Sequence, residues 1–212
     1  MNADASAGVL MSLGVGVLAA PDGQRLYRIP VIPDIGPADP CVVLHREVYH
    51  PYAILHGGTY PRWTSTGLVH WARQPDCYRD ERGGLWAPDV YAHRDGRFYL
   101  YYTVNQHAPS DRRSSPPKVI GVAEAAGPEG PFVNPSDLDG PAIDAHMFRD
   151  TDGRLYLYYV RLDRGFRIGG RPMGDPRTPA GEPAELLRPT EPWEKAHGEV
   201  TEGPWVLRRG ST

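Results

Sequence analysis

The sequence predicts an all-β fold of the β-propeller type, and an internal repeat together with a turn-rich composition predicts it. The segments Asp95 to Thr103 (DGRFYLYYT) and Asp152 to Val160 (DGRLYLYYV) lie 57 residues apart and share seven of nine residues. Repeats of fifty-odd residues with strand patterning are typical of propeller blades, each a sheet of four strands. The chain also holds 24 Gly and 23 Pro among 212 residues, as expected of many tight turns.

Each copy of the repeat predicts one strand of such a sheet. Both copies begin with Asp-Gly, a turn signal, and continue with Tyr, Phe, Leu and Val, which favour strands. The run is apolar or aromatic on both faces, which predicts a sheet covered on both sides. A two-sheet sandwich is the alternative, but its strands would alternate apolar with polar residues.

The first 24 residues form a lead before the repeating part. Its apolar stretch, residues 7–20, is too short to span a membrane, and no basic residue precedes Arg25. We expect residues 1–24 to be disordered or a degenerate signal, which leaves both a cytoplasmic and a secreted location open. Residues 25–212 are predicted to form one partial propeller domain.

Charge and cysteine content exclude several classes of function. A net charge of −3 and a pI near 6.2 give no basic surface for nucleic acid or an anionic membrane, and we expect neither as a partner. Cys41 and Cys77 are predicted to be buried or half-buried thiols, with a single disulfide left open. The histidines show no HxH or HxxxH pair, so the sequence predicts no metal site and no cofactor.

Acidic residues recur just before the predicted strands, at spacings of 50, 55 and 58 residues. They are Asp39, Asp89, Asp144 and Glu202. The first strand of each blade lines the central channel, so acids at its start are expected to converge at one mouth. Converging carboxylates suit glycoside cleavage, in which one is protonated and donates while another is ionised and activates water. The alternative for each acid is a strand-end group that accepts backbone hydrogen bonds, which we favour for Asp89, with substrate contact left open.

Several motifs occur in a characteristic order along the chain. They are ADP at 38–40, STGLVHW at 65–71, LWAPDVY at 85–91, the two DGR repeats, IGVA at 120–123, GPF at 130–132, IDAH at 143–146 and EGPW at 202–205. In this order and spacing the sequence resembles glycoside hydrolase family 43, five-bladed propeller enzymes that cleave arabinofuranosides, xylosides and related plant polysaccharides. The family more often has Asp where Gly67 stands, and we expect little consequence at that turn.

The resemblance implies an inverting hydrolase, such as an α-L-arabinofuranosidase or β-xylosidase, with a carbohydrate substrate. Asp39 would be the general base, Glu202 the general acid, and Asp144 the group that raises the pKa of Glu202 and orients it. Inversion requires a base–acid separation of roughly 6.5–9.5 Å, which leaves room for water. Some family members hold an ion in the central channel.

Three residues are predicted to contact the substrate. His146 follows Asp144 by two positions on the same strand face, so it is expected to look into the pocket or to be a hydrogen-bonded structural histidine. Trp86 is expected to be an aromatic platform for a sugar ring or else a core residue. Asp89 completes the set.

Counting from Asp39, the chain contains three blades and the start of a fourth, and ten residues follow Glu202. We therefore expect a C-terminally truncated enzyme, or less plausibly an oligomer in which chains complement each other. A non-catalytic carbohydrate-binding propeller and an inactive enzyme fragment are the alternatives. A related five-bladed family acting on fructans is a further one, which the Asp-Ala-His-Met context of Asp144 disfavours.

Overall fold

The computed structural model describes residues 32, 37–55, 58–111, 115–196 and 198–210, so the lead of residues 1–24 lies outside the described part. Over these residues the fold is all-β, as predicted, with one short 3-10 helix at Pro192–Lys195. The strands are β1 Ala38–His45, β2 Val48–Ile54, β3 Thr59–Thr64, β4 Ala72–Arg79, β5 Trp86–Ala92, β6 Phe98–Asn105, β7 Lys118–Ala125, β8 Val133–Asp139, β9 Ala142–Arg149, β10 Leu155–Arg161, β11 Arg167–Asp175, β12 Thr178–Pro179 and β13 Ala184–Leu187.

These strands form three antiparallel sheets, each a meander in chain order. The first sheet is β1-β2-β3-β4 and the second is β5-β6-β7-β8. The third is β9-β10-β11-β12, with β13 also paired to β11. The first strands of the sheets are neighbours, because β5 packs against both β1 and β9. Three consecutive blades of a propeller are therefore present, and β1, β5 and β9 are their inner strands.

The core lies between neighbouring sheets, and the middle sheet contributes to it on both faces. Every residue of β6 is buried. Leu100, Tyr102 and Val104 pack toward the first sheet, while Tyr99 and Tyr101 pack toward the third. Successive side chains of a strand point to opposite faces, so each parity serves one neighbour. This explains why the DGRFYLYYT run lacks polar alternation.

Two buried tyrosines connect each sheet to the next. Tyr52 of β2 donates its hydroxyl to the Pro128 carbonyl at 2.5 Å, and Tyr101 of β6 donates to the Pro176 carbonyl at 2.6 Å. Both acceptors lie in the turn that follows the third strand of the next sheet. The two tyrosines are equivalent, since each pairs with the third residue of an Xaa-Pro-Xaa segment in its inner strand. We call these two contacts the tyrosine links.

Each inner strand has a bulge near its start, where the pairing with the second strand is irregular. A residue with positive φ lies in each bulge: Asp39 (φ 47), Ala87 (φ 32) and Asp144 (φ 56). Positive φ is uncommon for residues other than glycine, and bulges are over-represented beside active sites. The repetition of this strained feature in three sheets marks one end of the inner strands.

Cys41 and Cys77 are both buried and unpaired, which confirms the predicted thiols. No helix among the described residues has the length and apolar character needed to cross a membrane.

Candidate active site

The three bulge residues form the upper layer of the site, at equivalent points of adjacent inner strands. Asp39 and Asp144 supply carboxyl groups, and Ala87 occupies the equivalent position between them in the middle sheet. The small alanine side chain leaves space between the two acids that a larger residue would fill. The site therefore has two carboxyl groups from the first and third sheets and none from the second.

Asp144 is held in place from two sides. Its backbone N–H donates to the Thr103 Oγ1 at 3.1 Å, and Thr103 is fully buried in β6. Its Oδ2 accepts a hydrogen bond from the backbone N–H of Gly203 at 3.2 Å. The second contact brings the segment after the third sheet, and with it Glu202, beside Asp144.

The electrostatics of Asp144 reflect these neighbours. Burial raises the pKa of its carboxyl to about 6, the Gly203 N–H lowers it, and the charges of Glu202 and Asp39 raise it further. Like charges disfavour ionisation when they are close. The influence of both acids on one carboxyl indicates that the three predicted acids are grouped. Asp39 and Glu202 are themselves solvent exposed.

Tyr60 connects this group to Trp86 and was not singled out by the sequence. It is fully buried in β3, and its hydroxyl donates to the Trp86 carbonyl at 2.6 Å. Burial raises the pKa of the phenol well above its ordinary value, with smaller contributions from Asp39 and Asp144 among its neighbours. Tyr60 thus lies near both acids and anchors the chain at the start of β5.

Asp89 lies in a second layer, two residues beyond Ala87. Its carboxylate accepts the Met147 N–H at 2.9 Å, and the Cys41 Sγ lies 3.7 Å from its other oxygen. Only 5% of the residue is exposed. The structure therefore gives Asp89 the backbone-accepting role and places it beneath the upper layer, away from the position expected for substrate contact. It shares this layer with Cys41 and His146.

His146 is buried in the same lower layer. Its Nδ1 is 3.5 Å from Asp89 Oδ2, and the Trp205 ring stacks on the imidazole with a centroid separation of 4.3 Å and an interplanar angle of 26°. Neither ring nitrogen has a hydrogen-bond partner among the described residues. The expectation that His146 looks openly into the pocket is therefore not met, because Trp205 covers it.

A signal for this layering was present in the sequence. The repeat offset of 57 residues maps Asp144 onto Ala87 and His146 onto Asp89. Counting from acid to acid instead gives a spacing of 55 between Asp89 and Asp144, which aligns residues of different layers. The strand repeat is the more reliable ruler because backbone pairing determines which side chains share a layer.

Trp86 is half-exposed at the start of β5, directly before Ala87, with 43% of its surface accessible. The Lys118 Nζ lies 3.8 Å from the centroid of its ring. Exposure beside the upper layer is compatible with the predicted platform. No three His, Cys, Asp or Glu side chains of the described ranges are grouped so that they could bind a metal together.

Three four-stranded meanders with grouped carboxyl groups at one end of their inner strands define a β-propeller with an acidic mouth. The family model of glycosyl hydrolases family 43 matches residues 27–212, and the chain belongs to this family.

Similar proteins agree with this assignment. The chain is 29% identical over 161 residues to alpha-L-arabinofuranosidase B of Pyricularia oryzae, covering 69% of this chain and 31% of that protein. It is 31% identical over 149 residues to extracellular endo-alpha-(1->5)-L-arabinanase 2 of Bacillus subtilis, covering 60% and 29%. A thermostable family-43 glycoside hydrolase of known structure superposes with a TM-score of 0.70 at 28% identity, covering 87% of this chain and 64% of that one.

The matched part is thus about 30% of the length of these two curated relatives.

Proposed function

We propose that this protein hydrolyses glycosidic bonds of arabinose- or xylose-containing saccharides with inversion at the anomeric carbon. The observation that carries the proposal is the grouping of Asp39, Asp144 and Glu202, expressed in the raised pKa of Asp144. Family membership over residues 27–212 supports the reaction class.

The three acids have separate roles in the proposed reaction. Asp39 accepts a proton from water as the water oxygen bonds to the anomeric carbon. The bond from that carbon to the leaving oxygen breaks, and Glu202 protonates this oxygen. Asp144 lies against Gly203 and keeps the neighbouring acid in position, while its own negative charge favours the protonated form of Glu202.

The proposed sugar class rests on the relatives and on Trp86. The two curated relatives are named for arabinofuranoside and arabinan cleavage, and this chain shares about 30% of its residues with them. An exposed indole beside the acids offers the apolar surface on which a sugar ring packs.

Hydrolysis of 4-nitrophenyl α-L-arabinofuranoside and 4-nitrophenyl β-D-xyloside by the purified chain tests the proposal. We expect one of the two to be cleaved, and Glu202→Gln to abolish or greatly reduce cleavage. Glu199→Gln is the matched control, since it makes the same change at an exposed residue three positions earlier. The anomer formed first, followed by NMR, tests inversion. Equal activity of Glu202→Gln and the unaltered chain would refute the role of Glu202.

A non-catalytic carbohydrate-binding propeller is the second candidate. The observation in its favour is that Asp39 and Glu202 are both solvent exposed, whereas catalytic carboxyl groups usually work in a water-poor site. Under this alternative the chain binds arabino-oligosaccharides without cleaving them, and Glu202→Gln leaves that affinity unchanged.

A further inference from the structure

Lys118 is a buried cation whose surroundings in the described structure contain no ion-pair partner. The chain has 21 Arg and only two Lys, Lys118 and Lys195. Lys195 is exposed, whereas Lys118 is 8% exposed. No carboxylate of the described residues forms a salt bridge with Lys118, and burial lowers the pKa of its ammonium. A buried charge without a counter-charge is costly, so its retention calls for a compensating set of contacts.

Those contacts are two oxygens and one aromatic ring. The Lys118 Nζ donates to the Gly84 carbonyl and to the Asn105 Oδ1, both at 2.9 Å. The Asn105 side chain is itself fixed, because its Nδ2 donates to the Arg82 carbonyl at 3.0 Å. An ammonium has three hydrogens, and two are used by these oxygens. The remaining direction is available to the Trp86 ring, whose centroid is 3.8 Å away.

A glycine is needed for this arrangement. Gly84 has φ +64, and a Cβ at this position would lie 2.5 Å from both the Asn105 Oδ1 and the Lys118 Nζ. Both the backbone conformation and the space therefore exclude a side chain at residue 84. The loop before β5 is thus shaped around the ammonium group.

The backbone of Trp86 is anchored on both sides by residues close to Asp144. It pairs with Thr103, which receives the Asp144 N–H, and its carbonyl receives the Tyr60 hydroxyl. The indole ring itself makes no hydrogen bond with the described residues. Lys118 covers one face of this ring, so the exposed 43% of the residue belongs to the other face and the edges.

We propose that Lys118 is a positioning residue that fixes the Trp86 ring from behind and so presents its free face to a sugar beside the upper layer. This proposal rests on the proposed function, since it assigns a saccharide to that face. Its effect is to remove ring motion before binding. A cation against the far face draws π-electron density toward itself, so it does not strengthen the sugar contact directly. The gain is preorganisation.

The test is a double-mutant cycle on saccharide affinity. Binding of α-1,5-arabinotriose and of xylotriose to the full chain is measured by calorimetry for the unaltered protein, Lys118→Met, Trp86→Ala and the double variant. We expect Lys118→Met to weaken binding about three- to tenfold. We expect the double variant to bind no more weakly than Trp86→Ala alone, because Lys118 acts only through that ring. Lys195→Met, the same change at the exposed lysine, should leave affinity unaltered.

A spectroscopic measurement checks the contact without sugar. The emission of Trp86 is isolated as the difference between each protein and its Trp86→Phe counterpart. Its anisotropy decay should show faster ring motion in Lys118→Met. If Lys118→Met fails to fold, Lys118→Gln keeps an amide donor for the Gly84 carbonyl while removing the charge, and the same measurements apply.

The outcomes separate the two proposals. Absence of binding to either saccharide by the unaltered chain overturns the proposed sugar class and this role of Lys118 together. Sugar binding that depends on Trp86 but is unchanged in a folded Lys118 variant overturns only the positioning role. Additive losses in the double variant do the same, because Lys118 would then act independently of the ring.

Discussion

At the scale of single residues, the half-buried carboxyl of Asp144 couples folding to pH. Its pKa is raised to about 6 in the folded protein, against about 3.9 in an unfolded chain. The carboxyl therefore favours folding most below about pH 4, and this contribution is lost as the pH rises through about 6.

Asp144→Asn removes that dependence. Relative to the unaltered protein, the variant should gain on the order of 2–3 kcal/mol in free energy of unfolding between about pH 4 and about pH 7.5. Urea unfolding at both pH values measures the difference. Asp152→Asn, in an exposed turn of the same sheet, supplies the baseline. Identical pH profiles for Asp144→Asn and the unaltered chain would contradict the raised pKa.

The leaving group distinguishes the roles of Glu202 and Asp39. 4-Nitrophenolate leaves without much help from an acid, whereas a sugar alkoxide requires protonation. We predict that Glu202→Gln lowers kcat about 10²–10⁴-fold on an arabino-oligosaccharide and much less on the 4-nitrophenyl glycoside. Asp39→Asn should lower both rates by a similar factor, since water attack is needed for either substrate. Parallel losses for Glu202→Gln on both substrates would argue against general-acid catalysis by this residue.

At the scale of elements, the pairing of β6 with β7 depends on one glycine. Gly121 lies opposite Tyr102, and a Cβ there would come within 2.4–2.6 Å of three atoms of the tyrosine ring. Tyr102 is fully buried and cannot move aside. Gly121→Ala should therefore destabilise the protein by about 1–3 kcal/mol.

Thermal or urea unfolding measures this loss, with Gly67→Ala as the control. A Cβ at Gly67 meets no atom within 4 Å, so that variant should stay within about 0.5 kcal/mol of the unaltered protein. Equal stabilities for the two alanine variants would show that β6 and β7 can shift apart at little cost.

The sequence predicted elements better than it predicted layers. The DGR repeat identified β6 and β10 and the covered sheets, because strand periodicity is a local property. The acids Asp39, Asp144 and Glu202 were found because each begins or precedes an inner strand. The displacement of Asp89 into a lower layer depends on a bulge at Ala87, and nothing in an alanine side chain announces a positive φ. The Trp205 ring over His146 and the ammonium behind Trp86 arise from contacts between distant segments, which periodicity does not encode.

At the scale of the whole molecule, the tyrosine links join sheets that otherwise meet only through side-chain packing and scattered polar contacts. Tyr101→Phe would leave the Pro176 carbonyl without its donor in a buried setting. We expect a loss of about 1–3 kcal/mol in unfolding free energy. Tyr91→Phe is the control, because the Tyr91 hydroxyl is half-exposed and makes no hydrogen bond within the described part of the chain. A similar loss in both variants would remove the special role of the link.

These links also set an alkaline boundary for the fold. Burial raises the pKa of both Tyr52 and Tyr101 far above the value of a free phenol, near 10. A group with a raised folded pKa supports the folded state fully below its unfolded pKa and loses that support as the pH climbs beyond it. Neither phenol can ionise while its hydrogen is shared with a proline carbonyl of the next sheet. In strong base, tyrosinate absorption from these two residues should therefore appear only as the sheets come apart, in one step with the loss of β structure.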